Sequence, residues 1–196
     1  MEIKKSTIDS ILQSHVQSIQ NLENSSTILK IINLMLKSRN KNKQIFVMGN
    51  GGSASTASHF TADLLKTALL KNQKRFRALS LCDNIPVISA WSNDASYSEI
   101  FSQQIQNLAS SGDLLIAFSG SGKSKNLIDA FKTAKKLGVI CIGFSGFTGG
   151  FFPKLCDYVI KIPSNDMLII ESLHLVLCHT IISTIRSSGK PLFKYD

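Results

Sequence analysis

The sequence predicts an α/β protein, a parallel sheet with helices on both faces, and three observations predict it. Short apolar runs recur at 44–48, 78–81, 113–118, 139–144 and 157–162. Each is followed by a stretch whose apolar residues repeat at helical spacing, and parallel strands need such helical crossovers between them. The composition, 43% hydrophobic and 18% charged over 196 residues, is that of a globular core rather than of a disordered or fibrous chain.

The elements follow in chain order. The first 40 residues carry Ile3, Ile8, Ile11, Leu12, Val16 and Ile19, then Ile28, Leu29, Ile31, Ile32, Leu34 and Leu36, which predicts two leading helices. They precede the sheet and are expected to pack on the last helix or on a neighbouring subunit. Helices are predicted at about 54–70 and 126–137. The apolar stretch 167–185 is interrupted by Glu171, Ser172, His174, His179, Thr180, Ser183 and Thr184. That many polar groups suit a buried amphipathic helix, not a lipid-facing span, and no membrane association is expected. No repeat or Pro/Ser-rich linker divides the chain, so residues 1–196 read as one domain.

Charge and cysteine usage narrow the class. Lys plus Arg (22) against Asp plus Glu (13) leaves +9. The cations form short clusters at 37–43, 71–77 and 132–136, read as solvated faces that also help attract an anionic small molecule. With few aromatics between them and no zinc-finger or zipper spacing, nucleic acid is not an expected partner. Cys82, Cys141, Cys156 and Cys178 form no Cys-x-x-Cys pair, and no apolar leader precedes them, which predicts buried, reduced thiols and a cytoplasmic protein.

In open parallel sheets ligands bind beyond the carboxyl ends of the strands. The first run ends in Gly49-Asn50-Gly51-Gly52-Ser53-Ala54-Ser55, opening a helix. Glycines free the backbone there, and the helix N-terminus favours an anion. The third run ends in Ser119-Gly120-Ser121-Gly122-Lys123-Ser124. It matches the last three positions of a Walker loop but has Ala117 where the first glycine must stand. Three hydroxyls at a helix start suit a phosphate monoester without a metal, whereas capping by Ser124 alone needs one. The loop 145–150 reads as a crossover turn. On the helices, His59 and Asp63 are i,i+4 and share a face. Glu171 and His179 lie about 80° apart around one helix. Two histidines and two carboxylates suit either a divalent metal or acid/base chemistry. His174, on the same helix, reads as a packed structural histidine.

In series these motifs resemble a known family. The glycine loop followed by His59-Phe60-x-x-Asp63, then Trp91-Ser92-Asn93-Asp94, the serine loop, Pro163-Ser164, and Glu171-x-x-His174-x-x-x-x-His179 is similar to the sugar isomerase (SIS) domain in its phosphoheptose isomerase form. The resemblance spans nearly the whole chain. It implies a three-layer sandwich with a five-stranded parallel sheet of flavodoxin-like order and two extra N-terminal helices, and a homotetramer with sites at subunit interfaces. It also implies conversion of sedoheptulose 7-phosphate to D-glycero-D-manno-heptose 7-phosphate through an enediol, for lipopolysaccharide or capsule heptose.

Carried over residue by residue, the resemblance implies Asp63 as base and His179 as acid, with Glu171 as an alternative base. It implies a zinc ion, one per subunit, on His59, Asp63, Glu171 and His179. The phosphate falls to Ser53, Ser119, Ser121 and Ser124, and further substrate contacts to Asn50, Gly51, Gly52, Asn93 and Asp94. Four departures stand out. Asp63 replaces the usual Glu, Glu171 replaces a Gln, residues 166–170 lack the usual Thr-Pro-Arg-Ile, and Lys66-Thr67 stands where Gly-Arg is common. The alternative is a catalytically silent SIS-fold protein that binds a partner such as the replication initiator. Retention of His59 and His179 counts against it.

Overall fold

Apolar alternation along the central strands builds two cores at once, one on each side of the sheet. In the computed structural model, which describes residues 3–194, Ile45, Val47, Leu114, Ile116, Phe118, Ile142 and Phe144 point to one face. Phe46, Met48, Leu115, Ala117 and Cys141 point to the other. The sheet comprises β1 (Gln44–Gly49), β2 (Arg77–Ser80), β3 (Leu114–Ser119), β4 (Ile140–Ser145) and β5 (Tyr158–Lys161). All pairings are parallel, and the spatial order is β2-β1-β3-β4-β5. The flavodoxin-like three-layer arrangement expected from the sequence is therefore present.

The first core is covered by α2 (Ser25–Asn40), α3 (Gly52–Ala62) and α8 (Met167–Ser187), the second mainly by α5 (Ser102–Leu108), α6 (Lys125–Lys136) and α7 (Phe152–Leu155). The helix α1 (Lys5–Gln20) lies on α8, and α4 (Ile85–Asp94) leads into a 3₁₀ turn at Tyr97–Glu99. Although α8 is long and apolar enough to cross a membrane, its face of Ile170, Leu173, Leu177, Ile181 and Ile185 is spent on the core. The carboxylate of Asp166 caps it by accepting from the Leu168 and Ile169 amides.

One expectation needs correction and another is sharpened. The helix expected at 54–70 starts earlier, at Gly52, and is not uniform: from Asp63 to Thr67 it widens into a π-helix, with Ala68 N–H bonding to Asp63 C=O at 2.8 Å. Nothing in apolar periodicity separates the two windings over five residues. The positive charge, read as short clusters on solvated faces, is in part gathered at one end. Parallel topology brings the loops that enter the strands to one end, and with them Lys41, Lys43, Lys71, Lys74, Arg75 and Arg77. Basic last turns of α2 (Lys37, Arg39) and α6 (Lys135, Lys136) add to that end, where they complement the negative ends of the helix dipoles. Several spend their charge locally, as when Lys74 and Arg77 donate to the Asn40 and Asn42 carbonyls.

Candidate active site

The order β2-β1-β3 reverses direction between β1 and β3, and the cleft opens at that reversal. It is lined by Asn50, Gly51, Gly52 and Ser53 from the loop after β1, by Ser119, Gly120, Ser121 and Ser124 from the loop after β3, and by Met167 and Glu171 of α8, around a volume of about 290 Å³. The loops are shaped by their own short bonds: Ser119 Oγ accepts from Gly122 N–H at 3.1 Å and Ser121 Oγ from Lys123 N–H at 3.2 Å. Ser124 occupies the N-cap of α6 but makes no side-chain cap, so the capping explanation of that serine fails; the residue lines the cleft. Glycine is required where the backbones touch. A Cβ on Gly122, at φ +62°, would lie 2.3 Å from the Gly149 carbonyl oxygen. The loop 146–150 is thus the wall against which the serine loop is packed, more than the crossover turn it resembled.

The second constellation lies lower between α3 and α8, which run side by side in the same direction. His59 Nε2 and His179 Nε2 approach to 2.9 Å. Asp63 Oδ2 lies 3.4 Å from the first and 3.7 Å from the second. Two imidazole nitrogens cannot sit that close on lone pairs alone; one must carry a proton, or both must face a shared cation. The histidine side chains are about half exposed (49% and 53%), whereas Asp63 is 14% exposed at the base of the pocket. The π-helix begins at Asp63, and such a local widening often re-aims side chains at functional sites. Two nitrogens and one carboxylate oxygen, all within 4.8 Å of one another, form a donor set whose chemistry fits zinc.

Glu171, expected as a fourth ligand, does not join this group. A Cβ on Gly52 would meet its carboxylate oxygen at 2.3 Å, so its side chain lies over the start of α3, in the cleft. Glu171 and His179 lie close in angle around α8, but eight residues of α-helix separate them by about 12 Å along its axis. Asn93 and Asp94, expected among the substrate contacts, pair with each other at 2.7 Å and do not line the cleft. His174 is fully buried beside Phe118 and Phe144. Burial pushes its pKa down to about 4. The Ser145 main chain, which favours the charged form, does not offset this, and neither ring nitrogen has an aligned partner. It is a neutral core residue.

Three residues at the site carried no recognisable sequence signal. Tyr97 and Asn126 bond to Asn50. Arg186 reaches the rim of the histidine pocket from α8, donating to the Thr67 carbonyl at 2.8 Å. An arginine thus stands beside Thr67 although the Gly-Arg pair common in the family is missing there.

Comparison with known proteins agrees with this arrangement. The SIS domain family model matches residues 11–146. A phosphoheptose isomerase of Campylobacter jejuni is 36% identical over 180 residues, covering 89% of this chain and 96% of its own. The solved structure of a phosphoheptose isomerase from Francisella tularensis superposes with a TM-score of 0.88 at 25% identity, covering 95% of this chain and 100% of that one. That of phosphoheptose isomerase from Neisseria gonorrhoeae superposes with a TM-score of 0.87 at 26% identity, covering 93% and 98%. With the cleft at the strand reversal and the histidine pocket beneath it, the chain belongs to the SIS domain family and, within it, to the phosphoheptose isomerases, which are aldose-ketose isomerases.

Proposed function

We propose that the protein interconverts sedoheptulose 7-phosphate and D-glycero-D-manno-heptose 7-phosphate. The observation that carries this reading is the separation of the serine cleft from the His59–Asp63–His179 pocket along the neighbouring helices α3 and α8. From Gly52 to His59 the helix rises by about 10 Å. A sugar with phosphate at one end and carbonyl at the other spans such a distance, its phosphate on Ser53, Ser119, Ser121 and Ser124 and its first two carbons near the histidines. The reacting pair is then Asp63 and His179, while Glu171, in the cleft, is nearer the phosphate end.

The Asp63 carboxylate removes a proton from C1 of the ketose as His179 delivers one to O2, giving the enediol. Asp63 then returns its proton to C2 while the O1 proton passes to His179, and the carbonyl re-forms at C1. Protons and electrons balance with no outside oxidant. A zinc ion held by His59, Asp63 and His179 would polarise the substrate oxygens and stabilise the negative charge that develops on them. The two histidines, retained and brought together, favour this reading over a silent partner-binding protein.

The assembly belongs to the same proposal. Ile8, Ile11, Leu12, Val16 and Ile19 form one stripe of α1 and are all 45–59% exposed. An apolar helix stripe of that kind suits burial against another copy of the chain, in keeping with a homotetramer. Four free cysteines, with burial raising the Cys141 thiol to about 12, suit the reducing cytoplasm.

The test is direct. Sedoheptulose 7-phosphate is incubated with the protein and the aldose followed by NMR. Product formation is expected, and no product with or without added zinc would overturn the reading.

A further inference from the structure

Asn126, the second residue of α6, is 3% exposed and belongs to none of the groups that hold phosphate or move protons. Its amide orientation can be deduced from one fixed donor. The Leu127 main-chain N–H, which can only donate, points at Asn126 Oδ1 at 3.0 Å. The other side of the amide must therefore be Nδ2, and it donates to Asn50 Oδ1 at 2.8 Å. Asn50 is fixed in turn: its Nδ2 donates back to Asn126 Oδ1 at 3.0 Å, and its Oδ1 also accepts from the Tyr97 hydroxyl at 3.0 Å. Both oxygens are saturated with two donors each, and the Asn50 amide is left with one N–H on the side of the cleft it lines.

We infer that Asn126 is a positioning residue: it holds Asn50 so that Asn50 presents a donor, never an acceptor, to an oxygen of the sugar phosphate, and it ties the loop after β1 to the start of α6. The inference rests on the cleft being the sugar-phosphate site. The reciprocal bonds are partly buried and main-chain anchored, so the Asn50 amide is set before ligand arrives and no flip is needed on binding.

The test is a double-mutant cycle on the full chain, reading both turnover and calorimetric binding of sedoheptulose 7-phosphate. Asn126→Asp keeps the shape, the acceptor for Leu127 and a side chain favoured at a helix start, but loses the donor to Asn50. Asn126→Ala removes both. Each is expected to weaken binding and raise KM by about tenfold, the cost of one misdirected hydrogen bond, with kcat changed less than about threefold. In an Asn50→Ala background the same changes should have almost no further effect, because Asn126 acts through Asn50. Binding losses that multiply in the double variant, or a tight-binding Asn126→Asp, would overturn the inference. Should the wild-type protein bind the sugar phosphate without turning it over, the isomerase reading fails alone and the cycle still decides on binding. Should it not bind the sugar phosphate, the cycle is read on inorganic phosphate, with the same pattern of coupling expected and its absence counting against the inference.

Discussion

The two halves of the site are built from different materials. The cleft is made of loops, with hydroxyls, glycines and helix starts at the ends of β1 and β3; the histidine pocket is made of side chains projecting from two neighbouring helices. The first holds a ligand through many weak, interchangeable donors. The second depends on three atoms meeting at one point. Binding should therefore be lost gradually from the cleft, and chemistry abruptly from the pocket.

The sharpest break is expected at the pocket. His179→Ala should lower kcat by about 10²- to 10⁴-fold, the usual contribution of a positioned acid or base, while binding of the sugar phosphate measured by calorimetry stays within a few-fold. Asp63→Asn should cost kcat at least about a hundredfold and, where the proposed zinc is bound, also weaken its retention, followed by elemental analysis after reconstitution and dialysis. If either variant instead raised KM with kcat intact, pocket and cleft would not divide the work as proposed.

On the cleft side the effects are smaller and fall on KM. Ser121→Ala is expected to raise KM about tenfold, as for one hydrogen bond to a charged oxygen, with kcat nearly unchanged. Glu171→Gln removes a negative charge beside the phosphate and should lower KM by about fivefold, on the order of 1 kcal/mol for charges near a surface. A fall in kcat of a hundredfold in Glu171→Gln would instead make Glu171 the base and move the chemistry into the cleft.

Between cleft and pocket on α8 lies His174, whose effect falls on stability rather than on catalysis. Its folded pKa of about 4 lies below its ordinary 6.5, so the unfolded chain binds the extra proton between these values. The stability that neutral burial allows is complete above about pH 6.5 and falls as pH drops toward 4, by on the order of 3 kcal/mol. His174→Leu should flatten this part of the thermal stability profile, leaving acid loss from other groups.

The cleft was legible in the sequence because its chemistry is local: Gly51, Gly52 and Ser53, and Ser119, Ser121 and Ser124, each fall within one short loop at a strand end whose position the apolar runs reveal. The pairing of His59 with Asp63 was equally readable from i,i+4 spacing. What joins distant segments was not. The alignment of α3 and α8 brings His59 to His179 but leaves Glu171 two turns away, a matter of helix rise that a projection around the axis discards. Asn126 and Tyr97 converge on Asn50 only once β1 and β3 lie side by side, and the π-turn at Asp63 leaves no mark on hydrophobic spacing. The charge clusters were visible too, but their concentration at one end depends on the direction of every strand.

That concentration bears on how the substrate arrives. The end that gathers Lys41, Lys43, Lys71, Lys74, Arg75 and Arg77 is the one opposite the serine cleft, which itself holds Glu171. Screening by salt acts over about 8–10 Å at ordinary ionic strength, so the distant cations offer an incoming dianion little guidance. Capture then rests on the cleft mouth, where the serine loop carries Lys123 between Gly122 and Ser124, and the salt dependence of kcat/KM should respond to Lys123→Ala but not to removal of a cation from the distant cluster. Steered enzymes slow steeply as salt is raised.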